Sequence, residues 1–242
     1  MPSSRHPKPA GPGADRSHGP LPPMLMVLTV VTGLVDAISY LRLGHVFVAN
    51  MTGNIAFLGF AVADAKEFSV GATLTAGAGF LVGAIAGGRL ALRTDGHRGR
   101  LLAVGIVIEI AIVVAALVSA LLTDDFASAS ARYVLIVLLA LAMGLQNAVA
   151  RKLGVPDLST TVLTLTLAGL AADSTLAGGR NPRAGRRLLA ASMMFVGAAL
   201  GTLVIFRYGV GAVLALALAL LSACAVAAFR HRRATAEWTL AA

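Results

Sequence analysis

Long apolar runs separated by short polar breaks dominate the chain. After a polar opening, eight apolar segments follow, at approximately 24–41, 46–63, 69–91, 101–122, 133–150, 158–172, 187–206 and 209–229. Several approach or exceed the ~20 residues that cross a bilayer as helix. Their Leu, Ala, Val and Gly residues do not alternate with the period of two that a membrane-spanning barrel strand requires. The pattern predicts an all-α, polytopic transmembrane helix bundle.

Two stretches break the apolar pattern from within. Residues 33–54 read GLVDAISYLRLGHVFVANMTGN, and residues 144–166 read GLQNAVARKLGVPDLSTTVLTLT. The first places an acid, Asp36, in one apolar segment and a polar group, Asn50, Thr52, Gly53 and Asn54, in the next. The sixth segment has about 15 residues that lean apolar, roughly 22 Å of helix against a ~30 Å hydrocarbon core. Segments two and six therefore read as half-spans that enter and return, which a membrane tolerates where the backbone is buried in protein or lines a cavity.

Composition agrees with the pattern and adds an orientation. Hydrophobic residues make up 57% of the 242 and charged residues 13%, about half the charged share of a soluble domain, roughly 25%. The net charge of +9 sits in loops and tails rather than on a face with stacking aromatics, so it does not read as a nucleic-acid surface. It reads as the Lys/Arg excess of cytoplasmic loops. Arg93, Arg98 and Arg100 fall in one loop; Arg180, Arg183, Arg186 and Arg187 fall in another; Arg230, Arg232 and Arg233 follow the last segment. Residues 123–131 instead carry Asp124 and Asp125. Eight full spans would put the 93–100 loop opposite the other basic segments. Six full spans plus two short re-entrant segments put all of them, and both termini, on the cytoplasmic side; eight spans remain the alternative.

The two interrupted stretches also predict a duplication. Gly33-Leu34-x-Asp36-Ala37 matches Gly144-Leu145-x-Asn147-Ala148, Leu43-Gly44 matches Leu153-Gly154, and Thr52 falls near Thr164. Val82-Gly83-Ala84 with Gly87 matches Val196-Gly197-Ala198 with Gly201. The predicted organisation is a disordered tail over 1–20, one transmembrane domain over 21–229, and a basic cytoplasmic tail over 230–242. The domain holds halves at about 24–122 and 132–229. Three net crossings per half make the halves inverted, an arrangement that recurs in transporters with midplane sites. The opening tail does not read as a signal peptide, since Pro22 and Pro23 precede the apolar run and no clear cleavage site follows.

The string GLVDAISYLRLGHVFVANMTGNIAFLG at 33–59, above all its Gly-x-x-Asp-Ala and Asn-Met-Thr-Gly-Asn elements, resembles the YoaK family of bacterial membrane proteins, a domain of unknown function. With the second stretch the likeness covers roughly 24–229. It implies a bacterial integral membrane protein and a transport role, with no assigned substrate or catalytic residue; the apolar pattern and basic loops then place it in the bacterial inner membrane. The second half departs from the first: Asn147 stands for the acid and Leu165 for Gly53.

The candidate chemistry follows from burial. A carboxylate in the hydrocarbon zone costs at least about 2.5–3.5 kcal/mol, so Asp36 and Glu109 are expected to face a partner or a cavity. There they are either proton-linked groups or hydrogen-bonded structural acids. Asn50, Thr52, Gly53 and Asn54, with Asn147, Thr160, Thr161 and Thr164 opposite, read as the lining of a solute site, or else as interhelical hydrogen bonding. Gly79, Gly83 and Gly87, like Gly197 and Gly201, repeat every four residues and read as close-packing stripes, within one chain or between copies in a homo-oligomer. Cys224 is the single cysteine and reads as a packing residue. No zinc spacing, nucleophile elbow or phosphate loop is present, so no catalytic residue, metal or cofactor is expected. The partners expected are the lipid bilayer and an unknown small solute, and not nucleic acid. The sequence thus predicts a small-solute secondary transporter, not an enzyme. A non-transporting scaffold or regulator is the alternative, and a membrane-embedded enzyme the third reading.

Overall fold

The computed structural model describes residues 18–123, 128–155, 163–179, 184–232 and 236–239. Among these residues every regular element is helical: α1 (Leu21–Arg42), α2 (Met51–Val62), α3 (Val70–Arg93), α4 (Arg98–Leu121), α5 (Ala129–Leu153), α6 (Leu163–Ala172) and α7 (Ala184–His231). Short 3-10 turns follow at Thr175–Ala177 and Glu237–Thr239. Five helices, α1, α3, α4, α5 and α7, are long and apolar enough to cross a membrane. With 12 and 10 residues, α2 and α6 reach only about 18 and 15 Å.

Local chemistry sets several boundaries. Pro22 and Pro23 occupy the first turn of α1, where a missing N–H costs nothing. Ser69 and Ser128 cap α3 and α5 by accepting from the Ala72 and Ala131 amides, and His97 Nδ1 accepts from Arg100 N at the start of α4. Segments seven and eight of the sequence pattern form the two helical limbs of α7, which meet at the non-helical backbone of Gly209 (φ 81°, ψ 179°). That backbone region is essentially restricted to glycine.

Contacts along α7 show that it folds back there. Its first limb runs alongside and parallel to α1, with Gly197 against Val30 and Gly201 against Leu34 and Ala37. The second limb returns, bringing the Cys224 thiol 3.8 Å from the Met24 carbonyl oxygen near the start of α1. It lies antiparallel to α4, with Gly211 against Leu117 and Leu121 and the His231 carbonyl against Gly99. In turn α4 runs antiparallel to α5, where Gly105 meets Val149 and Arg98 bonds to the Leu153 carbonyl. Finally, α3 runs parallel to α5, with Gly79, Gly83 and Gly87 against residues 137–148.

These crossings are close because glycine removes the side chain at the contact. A Cβ at Gly33, Gly83, Gly144 or Gly197 would fall within 3.0 Å of backbone atoms of the facing helix. The starts of α1 and α4 and the ends of α3, α5 and α7 share one end of the bundle, which carries Arg93, Arg98, Arg100, Arg151, Lys152, Arg230 and Arg232. The opposite end holds the 43–50 segment, α2, Gly209 and the start of α5. There, Arg42, Lys66, Arg132 and Arg207 are accompanied by Asp64 and Glu67.

Candidate functional site

The polar interior begins with Asp36, six residues before the end of α1 and buried. Its Oδ1 accepts the backbone amides of Val48 at 3.2 Å and Ala49 at 3.0 Å. Asn54 in α2, also buried, faces the same segment. Its Oδ1 accepts from Phe47 N at 2.8 Å while its Nδ2 donates to the Phe47 carbonyl at 2.5 Å, as a neighbouring strand would. The loop between α1 and α2 thus carries three amides and one carbonyl satisfied by two side chains. At Gly44 (φ 100°) and His45 (φ 55°) the chain turns through left-handed backbone to start this loop.

The other members of that polar group are placed differently. Asn50 is exposed at the N-cap position of α2, and Thr52 is exposed on its first turn. Gly53 lies under the Phe47 ring, where a Cβ would sit 2.9 Å from it. Asn50 and Asn54 thus differ in surroundings, the first exposed at the helix start and the second buried against the 43–50 segment. Phe47 belongs to a run of rings that closes this end: it stacks on Tyr40 at 5.2 Å and on Phe57 at 5.4 Å, and Phe57 stacks on Phe68 at 4.8 Å.

Deeper in the bundle, Gln146 of α5 donates through Nε2 to the Thr32 hydroxyl of α1 at 2.8 Å. Thr32 in turn donates to the Leu28 carbonyl. Thr32 lies one turn from Asp36 on the same face of α1. Glu109 is buried at the middle of α4. Among the described residues, Asp36 Oδ2, Glu109 Oε1 and Gln146 Oε1 are buried without a hydrogen-bond partner. Buried polar atoms are normally paired, so three such oxygens inside one bundle are the unusual feature of its core. Asn147, next to Gln146, donates to the Met143 carbonyl of its own helix at 3.0 Å.

Thr160 and Thr161 lie outside the described residues; Thr164 belongs to the first turn of α6. Between α2 and α3 runs a surface groove of about 500 Å³, lined by Met51, Asn54, Ile55, Leu58, Thr73 and Leu74 among others. Apart from Asn54 and Thr73 its walls are apolar, so it offers a solute little polar recognition. No group of three or more metal-ligating side chains occurs among the described residues.

Two residues that matter here carry weak sequence signals. Gln146 sits beside Asn147, and it is Asn147, not Gln146, that aligns with Asp36 in the repeat. Arg98 counts in the sequence as one more loop charge. In the fold it is 7% exposed and binds the Trp238 carbonyl at 3.2 Å, His18 Nδ1 at 3.1 Å and the Leu153 carbonyl at the end of α5. Nothing in local spacing reveals that His18 and Trp238, distant from each other in sequence, both reach it.

The comparisons with known proteins agree with a membrane protein. A family model described as a protein of unknown function (DUF1275) matches residues 24–227. The UPF0700 transmembrane protein YoaK of Bacillus subtilis (strain 168) is 38% identical over 151 residues. That alignment takes in 62% of this chain and spans 65% of the relative's length. No solved structure matches.

Proposed function

The chain belongs to the DUF1275 family of proteins of unknown function, and on that premise we propose that it is a bacterial inner-membrane transporter of a small solute. Its two halves are homologous and inverted. Six crossings arise from α1, α3, α4, α5 and the two limbs of α7, while α2 and α6 enter and return. Both termini face the cytoplasm with the more basic end of the bundle.

The observation that carries this reading is a matched pair of helix crossings. Gly33 meets Met194 and Ala198, as Gly144 meets Phe80 and Ala84; Gly197 meets Val30, as Gly83 meets Leu141; Gly201 meets Leu34 and Ala37, as Gly87 meets Leu145 and Ala148. Throughout, positions in α1 and α5 differ by 111 and positions in α3 and α7 by 114. A duplicated unit whose copies exchange their third helices accounts for every member of that series. Because α1 runs opposite to α5, and α3 opposite to the first limb of α7, the copies are upside down relative to each other. Inverted repeats with interrupted helices build midplane solute sites. The unpartnered oxygens of Asp36, Glu109 and Gln146 are the groups offered to a solute or proton at that level.

A second reading, a non-transporting membrane scaffold, is favoured by Asp36 Oδ1 and Asn54, whose hydrogen bonds go to the backbone of the 43–50 segment. Two measurements separate the readings. With Cys224 replaced by Ala, single cysteines at Gly96 and Lys66 are labelled from outside with an impermeant maleimide. With the more basic end of the bundle in the cytoplasm, Lys66 is expected to be labelled and Gly96 protected; the reverse result puts the basic end outside and overturns that orientation. A panel of small solutes is then tested for thermal stabilisation of the purified protein. Transport expects at least one solute whose effect vanishes in Glu109→Gln or Gln146→Leu. A flat panel, with a partner protein that co-purifies, favours the scaffold.

A further inference from the structure

A groove of about 340 Å³ runs between α4 and the end of α7, lined by Arg100, Ala103, Val104, Val107, Phe229 and Arg232. Its two ends differ in chemistry. Arg100 stands in the first turn of α4 and Arg232 follows the last turn of α7, both exposed. From there Ala103, Val104 and Val107 climb α4 toward the middle of the bundle, about 10 Å along the helix, with Val104 and Val107 partly open to the side. The Arg232 guanidinium carbon lies 4.7 Å from the centre of the Phe229 ring, which holds the cation at the top of the apolar wall. Among the described residues no carboxylate lines the groove.

We propose that this groove binds one anionic phospholipid, its phosphate held by Arg100 and Arg232 and an acyl chain laid along Val104, Val107 and Phe229. Charge complementarity selects the headgroup. Two arginines lining one groove suit phosphate oxygens, which accept paired N–H donors, and basic gaps between helices at the membrane surface are where such headgroups settle. The apolar wall selects a lipid over a free anion, because a soluble phosphate would leave Val104, Val107 and Phe229 uncovered. The site is distinct from the buried oxygens of the bundle core and does not depend on transport.

The test is native mass spectrometry of the full-length protein in detergent, titrated with phosphatidylglycerol, phosphatidylcholine or inorganic phosphate. Phosphatidylglycerol is expected to bind most tightly. Arg100→Gln with Arg232→Gln should weaken it by roughly tenfold to thirtyfold, taking about 1 kcal/mol per arginine near the surface, and should leave phosphatidylcholine unchanged. Val104→Trp, which fills the groove and keeps both arginines, should weaken phosphatidylglycerol as well. If the arginine variant fails to fold, Val104→Trp decides alone. Arg207→Gln, beside the Gly209 fold-back at the opposite end of the bundle, should change nothing. Equal binding of phosphatidylglycerol by the wild type and the double variant overturns the proposal. So does displacement of the lipid by millimolar phosphate together with an unaffected Val104→Trp, since that is the behaviour of a free-anion site.

Discussion

Asp36 in α1 accepts the backbone amide of Ala49 at 3.0 Å, thirteen residues further along the chain. The same oxygen accepts from Val48, so one carboxylate oxygen anchors the segment that turns the chain from α1 into α2. A loop at that depth has amides that neither water nor a helix satisfies, and each left unpaired costs about 1–3 kcal/mol. Asp36 thus divides its labour between Oδ1, spent on the loop, and Oδ2, which has no partner among the described residues.

That division separates two substitutions. Asp36→Ala removes both acceptor bonds and is expected to cost about 2–4 kcal/mol, read as a lower melting temperature and faster proteolysis near residues 43–50. Asp36→Asn keeps an acceptor oxygen for Val48 and Ala49, so its melting temperature should stay close to wild type. If Asp36 is also the proton-linked group, Asp36→Asn should abolish proton-coupled uptake in proteoliposomes while the fold survives. Full uptake by that variant would remove the acid from the mechanism.

The glycines predict a contrast within one helix. At Gly83 an added Cβ would overlap the Leu141 carbonyl, whereas at Gly88 nothing lies within 4 Å. Gly83→Ala should lower stability by about 1–3 kcal/mol through overpacking. Gly88→Ala should be neutral or stabilising by up to about 1 kcal/mol, because alanine favours helix. Equal melting temperatures for the two variants would mean that α3 and α5 are not in this close contact.

Gln146 offers a different signature. Gln146→Leu removes its bond to Thr32 but also removes a buried oxygen that has no partner, and Thr32 keeps its bond to Leu28. The expected change in stability is within about 1 kcal/mol. Any solute-dependent stabilisation should nevertheless disappear. A large loss of stability would instead identify Gln146 as a structural tie between α5 and α1.

Arg98 can be read optically, since Trp238 is the single tryptophan. Its indole packs near His231 (ring centroids 5.9 Å apart) and against Gly19, and Arg98 holds its carbonyl. Arg98→Gln should release this closure. Trp238 emission should then shift to longer wavelength, and acrylamide quenching should increase. An unchanged spectrum would show that Trp238 keeps its packing against Gly19 and His231 without the guanidinium.

What is local in this protein was legible before any fold was known. Apolar runs of about 20 residues leave only helices as a way to satisfy the backbone in lipid, so the helical bundle, the two short segments and the weight of positive charge follow from composition and length. Small-residue spacing likewise marked Gly83, Gly87, Gly197 and Gly201 as points of close approach, although it could not say which helix each one meets. Asp36 and Glu109 were conspicuous because an acid is costly in such surroundings.

Pairing between distant parts of the chain was decided only by tertiary structure. Whether Asn54 faces a solute or the Phe47 peptide depends on where α2 begins, and that boundary is set by how the 43–50 segment folds over Asp36. The break between the limbs of α7 is marked in the sequence by the gap between segments 187–206 and 209–229, but the backbone angles at Gly209 and the helices each limb packs against belong to the fold. Arg98 and Gln146 acquire their meaning from partners more than fifty residues away. Burial and hydrogen bonding are properties of neighbours in space. A sequence pattern records which residues need such neighbours, and the packing of the helices determines which ones they receive.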